Sequence, residues 1–121
     1  MRAALKGSAE ITVRIVGAAE ARILNRRYRD RDYAANVLSF RYTLRRGLVQ
    51  GDIVLCAPVV AREALAQGKT VEAHLAHLTV HALLHLRGHD HLRPGDTARM
   101  EALEKKLLAK LGYPDPYDDS G

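Results

Sequence analysis

Histidine, the side chain most used to bind transition metals and to move protons near neutral pH, occurs six times in this sequence, and every copy falls between His74 and His91. His81 and His85 are four residues apart. On a helix that spacing stacks both imidazoles on one face about one turn apart, the separation two ligands of a single zinc ion need. His77 extends the same stripe but lies roughly 12 Å along the axis from His85, too far for all three to share an ion. His74 and His77 are therefore read as packing or supporting groups. The third ligand has to come from beyond the helix. Gly88 can break the helix and turn the chain back, bringing His89 or His91 to the ion.

His91 is favoured, because His81, His85, Gly88 and His91 spell HxxxHxxGxxH, the ligand spacing of metzincin proteases. Three imidazoles leave zinc a fourth position for water, whose pKa falls toward neutrality, so the site is hydrolytic. Proteolysis, however, needs a glutamate directly after the first histidine, and that position is Ala82, which takes no proton. Met100, nine residues after His91 and inside an apparent helix, also fits a metzincin methionine turn poorly. Asp90, between two loop histidines, is placed to orient a ligand imidazole through a hydrogen bond. His89 is expected in an exposed loop, within reach of substrate.

A central helix from Val71 to Leu86, capped by Thr70 and stopped by Gly88, must present this pair. Period-two alternation at Ile11, Val13 and Ile15 predicts a strand over 10–16, followed by a basic amphipathic helix to about Arg29. VLSFRY and GDIVLC read as two further strands able to form a hairpin. Pro58 and Gly68 bracket a second helix, and a last amphipathic helix spans roughly Asp96 to Leu111. The fold expected is α+β, a small mixed sheet of about three strands covered by helices, with the metal-binding helix at its centre. All 121 residues belong to this single domain, with 113–121 as an acidic, turn-rich tail.

Composition narrows the setting. With 47% hydrophobic and 27% charged residues the chain is an ordinary globular one, and no apolar run reaches the roughly 18 residues of a membrane span. The one cysteine, Cys56, makes no internal disulfide, so the cytoplasm is the expected compartment. The net charge of +5 is uneven: residues 1–50 carry 11 Lys/Arg against 4 Asp/Glu, and residues 51–121 carry 8 against 10. Arg22, Arg26, Arg27, Arg29 and Arg31 crowd one segment and Arg41, Arg45 and Arg46 another, which points to a polyanion such as RNA.

Residues 81–91, HALLHLRGHDH, resemble the signature HGxLHLxGYDH of the YbeY-type endoribonucleases, bacterial ribosomal-RNA maturation factors, with Ala82 for glycine and His89 for tyrosine. Upstream, LNRRYRDRDYAANVLSF (24–40) is similar to the family pattern LNxxYRxxDxxTNVLSF, with Ala35 for threonine, and GDIVLC (51–56) also matches. The resemblance runs from about residue 10 to 117. It implies a zinc-dependent, single-strand-specific endoribonuclease of ribosomal-RNA maturation. His81, His85 and His91 would hold one Zn2+ per chain. Arg29, on the family's functional arginine, would clamp the scissile phosphate. Arg26, Arg27, Arg31 and His89 are the expected RNA contacts, and small-subunit ribosomal RNA or the ribosome the expected partner. Asn36, Ser39 and Asp52 match as well, in positions where a conformational role suffices.

Relatives carry a strand and a helix before the segment matching Glu10–Val16, so the sheet is expected to expose an edge that a second copy could cover. Two other functions compete. A non-catalytic ribosome-assembly module would hold a structural metal with four protein ligands, His89 or Cys56 being the fourth. A metzincin-like protease is the weaker rival, for want of the glutamate.

Overall fold

A computed structural model of the chain describes residues 8–45, 48–87 and 95–117. The elements run β1 (Ser8–Val16), α1 (Ala18–Arg29), β2 (Val37–Arg45), β3 (Leu48–Cys56), α2 (Ala57–Gln67), α3 (Val71–Leu86) and α4 (Asp96–Lys110). The sheet order is β1-β3-β2. β1 pairs with β3 in parallel, from Ser8 opposite Leu48 to Val16 opposite Cys56, and β2 pairs antiparallel with β3. This is the mixed three-stranded α+β arrangement expected from the sequence. β1 and β3 start earlier than the alternation suggested. Ser8–Glu10 and Leu48–Gln50 pair with one another in register, and Val49 and Ala9 pack into the core beneath α3.

β3, the middle strand, sorts its side chains onto two faces. Val49, Ile53 and Leu55 pack with Leu78, Ala82, Leu83 and Leu86 of α3. Val54 and Cys56 point the other way, into a cluster with Val16, Ala21 and Leu38 under α1. Cys56 is fully buried there, across the sheet from α3. The cysteine considered as a fourth metal ligand is thus a core residue on the wrong face, because strand side chains alternate.

α3 is enclosed on two sides, by the sheet and by α4, where Val80 and Leu84 meet Met100, Leu107 and Leu108. A helix buried between two layers has no single polar face to spare. Its remaining stripe is the histidines. The Thr70 hydroxyl accepts a hydrogen bond from the Ala73 N–H and starts the helix; Gly68, at φ 67°, provides the left-handed turn between α2 and α3.

β2 carries a bulge. Arg41 lies opposite Gly51 and Thr43 opposite Gln50, leaving Tyr42 as the extra residue. Before the bulge, Leu38 and Phe40 face α1, so Val37, Ser39 and Arg41 face α3. A Cβ at Gly51 would collide with the carbonyl oxygen of Phe40, so only glycine permits this approach of the two strands.

Candidate metal centre

The histidine stripe climbs out of the interior as α3 proceeds. The side chain of His74 is 4% exposed, that of His77 14% and that of His81 28%, and His85 is an exposed residue. Successive rings are neighbours: the centroids of His77 and His81 are 6.3 Å apart and those of His81 and His85 5.7 Å. The helix therefore delivers the two imidazoles read from their spacing side by side at its open end. Gly88, His89, Asp90 and His91 lie outside the described residues, as does Arg46.

Behind the pair stands Glu104 of α4, fully buried. Its Oε1 is 3.0 Å from His81 Nδ1 and its Oε2 2.8 Å from His77 Nε2. The Tyr117 hydroxyl donates to the same carboxylate, 3.1 Å from either oxygen. Burial alone would push the Glu104 carboxyl up. The hydrogen bonds and charge of His77 and His81 outweigh it and hold the group down at about 2. Burial and the adjoining carboxylate push the Tyr117 phenol up, so it stays a donor. His77, His81 and Glu104 together bring one ligand atom each to within 4.8 Å of one another, and this group could hold a metal ion.

Neither Glu104 nor Tyr117 was singled out by the sequence reading. Within the expected tail, residues 113–117 dock on the helices: the Tyr113 hydroxyl donates to Glu72 at 2.8 Å, and Tyr117 reaches Glu104. A signal for Glu104 existed. Met100, Glu104, Leu107 and Leu108 share one helical stripe that is otherwise apolar, and a carboxylate on a core stripe requires partners.

The arginines divide. Arg29 donates from Nη2 to the Ser39 carbonyl and lies over the Phe40 ring, 5.2 Å from its centroid, at the outer strand β2. Two residues along that strand, Arg41 donates to the Leu86 carbonyl at 3.2 Å, closing the last turn of α3. β2 thus links Arg29 to the helix end that presents His85. Arg26 and Arg27 are exposed in the last turn of α1, where cations also complement the helix dipole. Arg31 is exposed just beyond and lines an open cleft with Arg29, Tyr33 and Arg62. Of the other matched positions, Asn36 bonds Glu63 and Asp52 accepts a hydrogen bond from the Tyr42 hydroxyl, both contacts within the fold. Ala82 is buried against the sheet, so no proton acceptor follows His81.

Fold and site define a small α+β protein whose central helix ends in a histidine-rich candidate metal centre. Comparison with known proteins makes this particular: the family model described as Endoribonuclease YbeY matches residues 1–112, and the chain belongs to that family. Endoribonuclease YbeY of Aromatoleum aromaticum is 61% identical over 115 residues, covering 95% of this chain and 74% of that protein. Endoribonuclease YbeY of Methylibium petroleiphilum is 56% identical over 117 residues, covering 97% and 78%. The solution structure of a Thermotoga maritima protein superposes with a TM-score of 0.56 at 24% identity, over 89% of this chain and 77% of that one, which shows a shared fold. Among the described residues no helix is long and apolar enough to cross a membrane.

Proposed function

We propose that this chain is a metal-dependent endoribonuclease that cuts single-stranded segments of ribosomal RNA in the cytoplasm, with one Zn2+ as its metal. The observation that carries the reading is the His81–His85 pair, 5.7 Å apart at the emerging end of a helix otherwise enclosed by two layers, in a member of an RNA-cleaving family. The donor set fits zinc: imidazole nitrogens on one helical face, with a carboxylate behind. His91 completes the ligands and Asp90 orients one of them.

His81, His85 and His91 would hold the zinc, which would supply Lewis acidity toward a phosphodiester and water. The chain's own residues do the rest. Arg29, held at β2 by Ser39 and Phe40, offers a planar fork of donors to a phosphate. Arg26, Arg27 and Arg31, all exposed, attract the backbone without regard to sequence, and His89 meets the RNA near the metal. Small-subunit ribosomal RNA, alone or in the ribosome, is the partner.

The test is cleavage of a single-stranded ribosomal-RNA fragment by metal-quantified protein. Wild type cuts and His85→Ala, stripped of metal, does not. Intact RNA after incubation with zinc-loaded wild type overturns the reading and favours an assembly module.

A further inference from the structure

Two arrangements of Glu104 are open to the chemistry of its surroundings. In one, it joins His77 and His81 directly on an ion. That requires His77 Nε2 and His81 Nδ1 to turn lone pairs toward the metal, abandoning hydrogen bonds of 2.8 and 3.0 Å. It also draws the ion toward a carboxylate with no exposed surface, away from the exposed His85. In the other arrangement the hydrogen bonds stay. With His77, His81 and the Tyr117 hydroxyl all converging on its two oxygens, Glu104 is the acceptor, so the His81 proton sits on Nδ1 and the lone pair of that ring on Nε2.

The geometry points to Glu104 as a positioning residue of the metal centre: by accepting from His81 Nδ1–H it fixes the tautomer that presents Nε2 to the ion, while His77 and Tyr117 hold the carboxylate itself. This rests on the reading of His81 as a ligand. The arrangement is the one in which an outer carboxylate fixes a ligand ring and raises its basicity. It explains why a carboxylate occupies the apolar stripe of α4 between Met100 and Leu108, a place where an unpartnered charge is expensive. It also gives the C-terminal segment a task, since the Tyr117 hydroxyl lies 3.1 Å from both Glu104 oxygens. His77, 14% exposed and bonded through Nε2 to Glu104, is then a brace.

The experiment measures zinc affinity by chelator competition for the full chain and its variants, together with the His81 tautomer in the metal-free protein by long-range proton–nitrogen NMR correlation. In wild type His81 is the Nδ1–H tautomer. Glu104→Gln, which keeps shape and removes charge, weakens zinc binding about 10- to 100-fold, and Tyr117→Phe weakens it less. Should Glu104→Gln not fold, the wild-type tautomer and Tyr117→Phe still decide. A role in folding alone would lower the melting temperature and leave zinc affinity unchanged; that result, or an Nε2–H tautomer in wild type, overturns the inference. If His77→Ala releases zinc and His85→Ala does not, Glu104 is a direct ligand and the inference fails. If neither His81→Ala nor His85→Ala changes the affinity, it is the metal reading beneath it that has failed.

Discussion

α3 makes two carboxylate–imidazole clusters of nearly the same chemistry, and they differ in what lies beyond them. Near its start, His74 Nε2 is 2.9 Å from Glu63 of α2, and Glu63 also accepts from the Asn36 amide at 3.0 Å. Asn36 in turn takes the Val37 N–H at 2.7 Å, so the cluster ties the beginning of β2 to two helices and ends in the core. Near the other end, Glu104 holds His77 and His81, and His81 adjoins a histidine that faces outward. The same pair of groups fastens layers where the helix is enclosed and, in the role proposed for Glu104, prepares a ligand where it emerges. Depth along one helix separates the two roles.

The sharpest way to break this comparison is to exchange the effects. His85→Ala removes an exposed imidazole, so zinc affinity falls by more than about 100-fold, beyond the cost of losing an outer partner, while the melting temperature of the metal-free protein is unchanged. Calorimetry with and without zinc reads both. Arg29→Glu lies in neither cluster and tests the phosphate-binding role proposed for Arg29. It keeps its metal and loses about 100-fold or more in RNA cleavage, the scale of one donor to developing charge; normal cutting removes Arg29 from the site. Glu63→Gln gives the opposite pattern to His85→Ala. It costs about 1–3 kcal/mol of stability, from weakened contacts to a buried histidine, and leaves zinc affinity alone.

The smallest effect is a pH dependence. Burial opposes it, but the hydrogen bonds from His74 and Asn36 hold the Glu63 carboxyl below its ordinary value of 4.5. Its contribution is therefore fully present above that value and is lost as the pH falls from there through the lower value of the folded state. The gap in melting temperature between wild type and Glu63→Gln narrows below about pH 4.5. A gap constant down to pH 2 or so would mean that the charge of Glu63 carries none of the difference.

The neighbouring imidazoles of His81 and His85 are legible in the sequence and the carboxylate behind them is not, for a physical reason. Spacing along one helix is local information, so His81 and His85 declare themselves from their numbers. Glu104 acquires meaning only when α4 lies against α3, 23 residues from His81, and a single glutamate on an amphipathic helix is ordinarily solvated. Tyr117 was harder still: acidic, proline-bearing residues surround it, and its docking depends on that same carboxylate. The strands were recognisable where they alternate, and their first residues, 8–9 and 48–50, were not, because the parallel partner that extends each lies 40 residues away. The bulge at Tyr42 has no such signal; it follows from the approach that Gly51 allows.

That parallel pairing has a consequence for how the protein comes into being. β1 precedes its described partner β3, opposite it from Leu48 onward, by 40 residues, so that pairing closes a long loop, whereas β2 and β3 pair as neighbours. α3 follows, histidines already in line, but Glu104 and Tyr117 arrive last. A growing chain thus carries His81 for 23 residues before Glu104 exists, and longer before Tyr117 does. If Glu104 positions His81 as proposed, full metal affinity waits for α4, and a chain released before residue 104 would lack both the cover of α3 and that affinity.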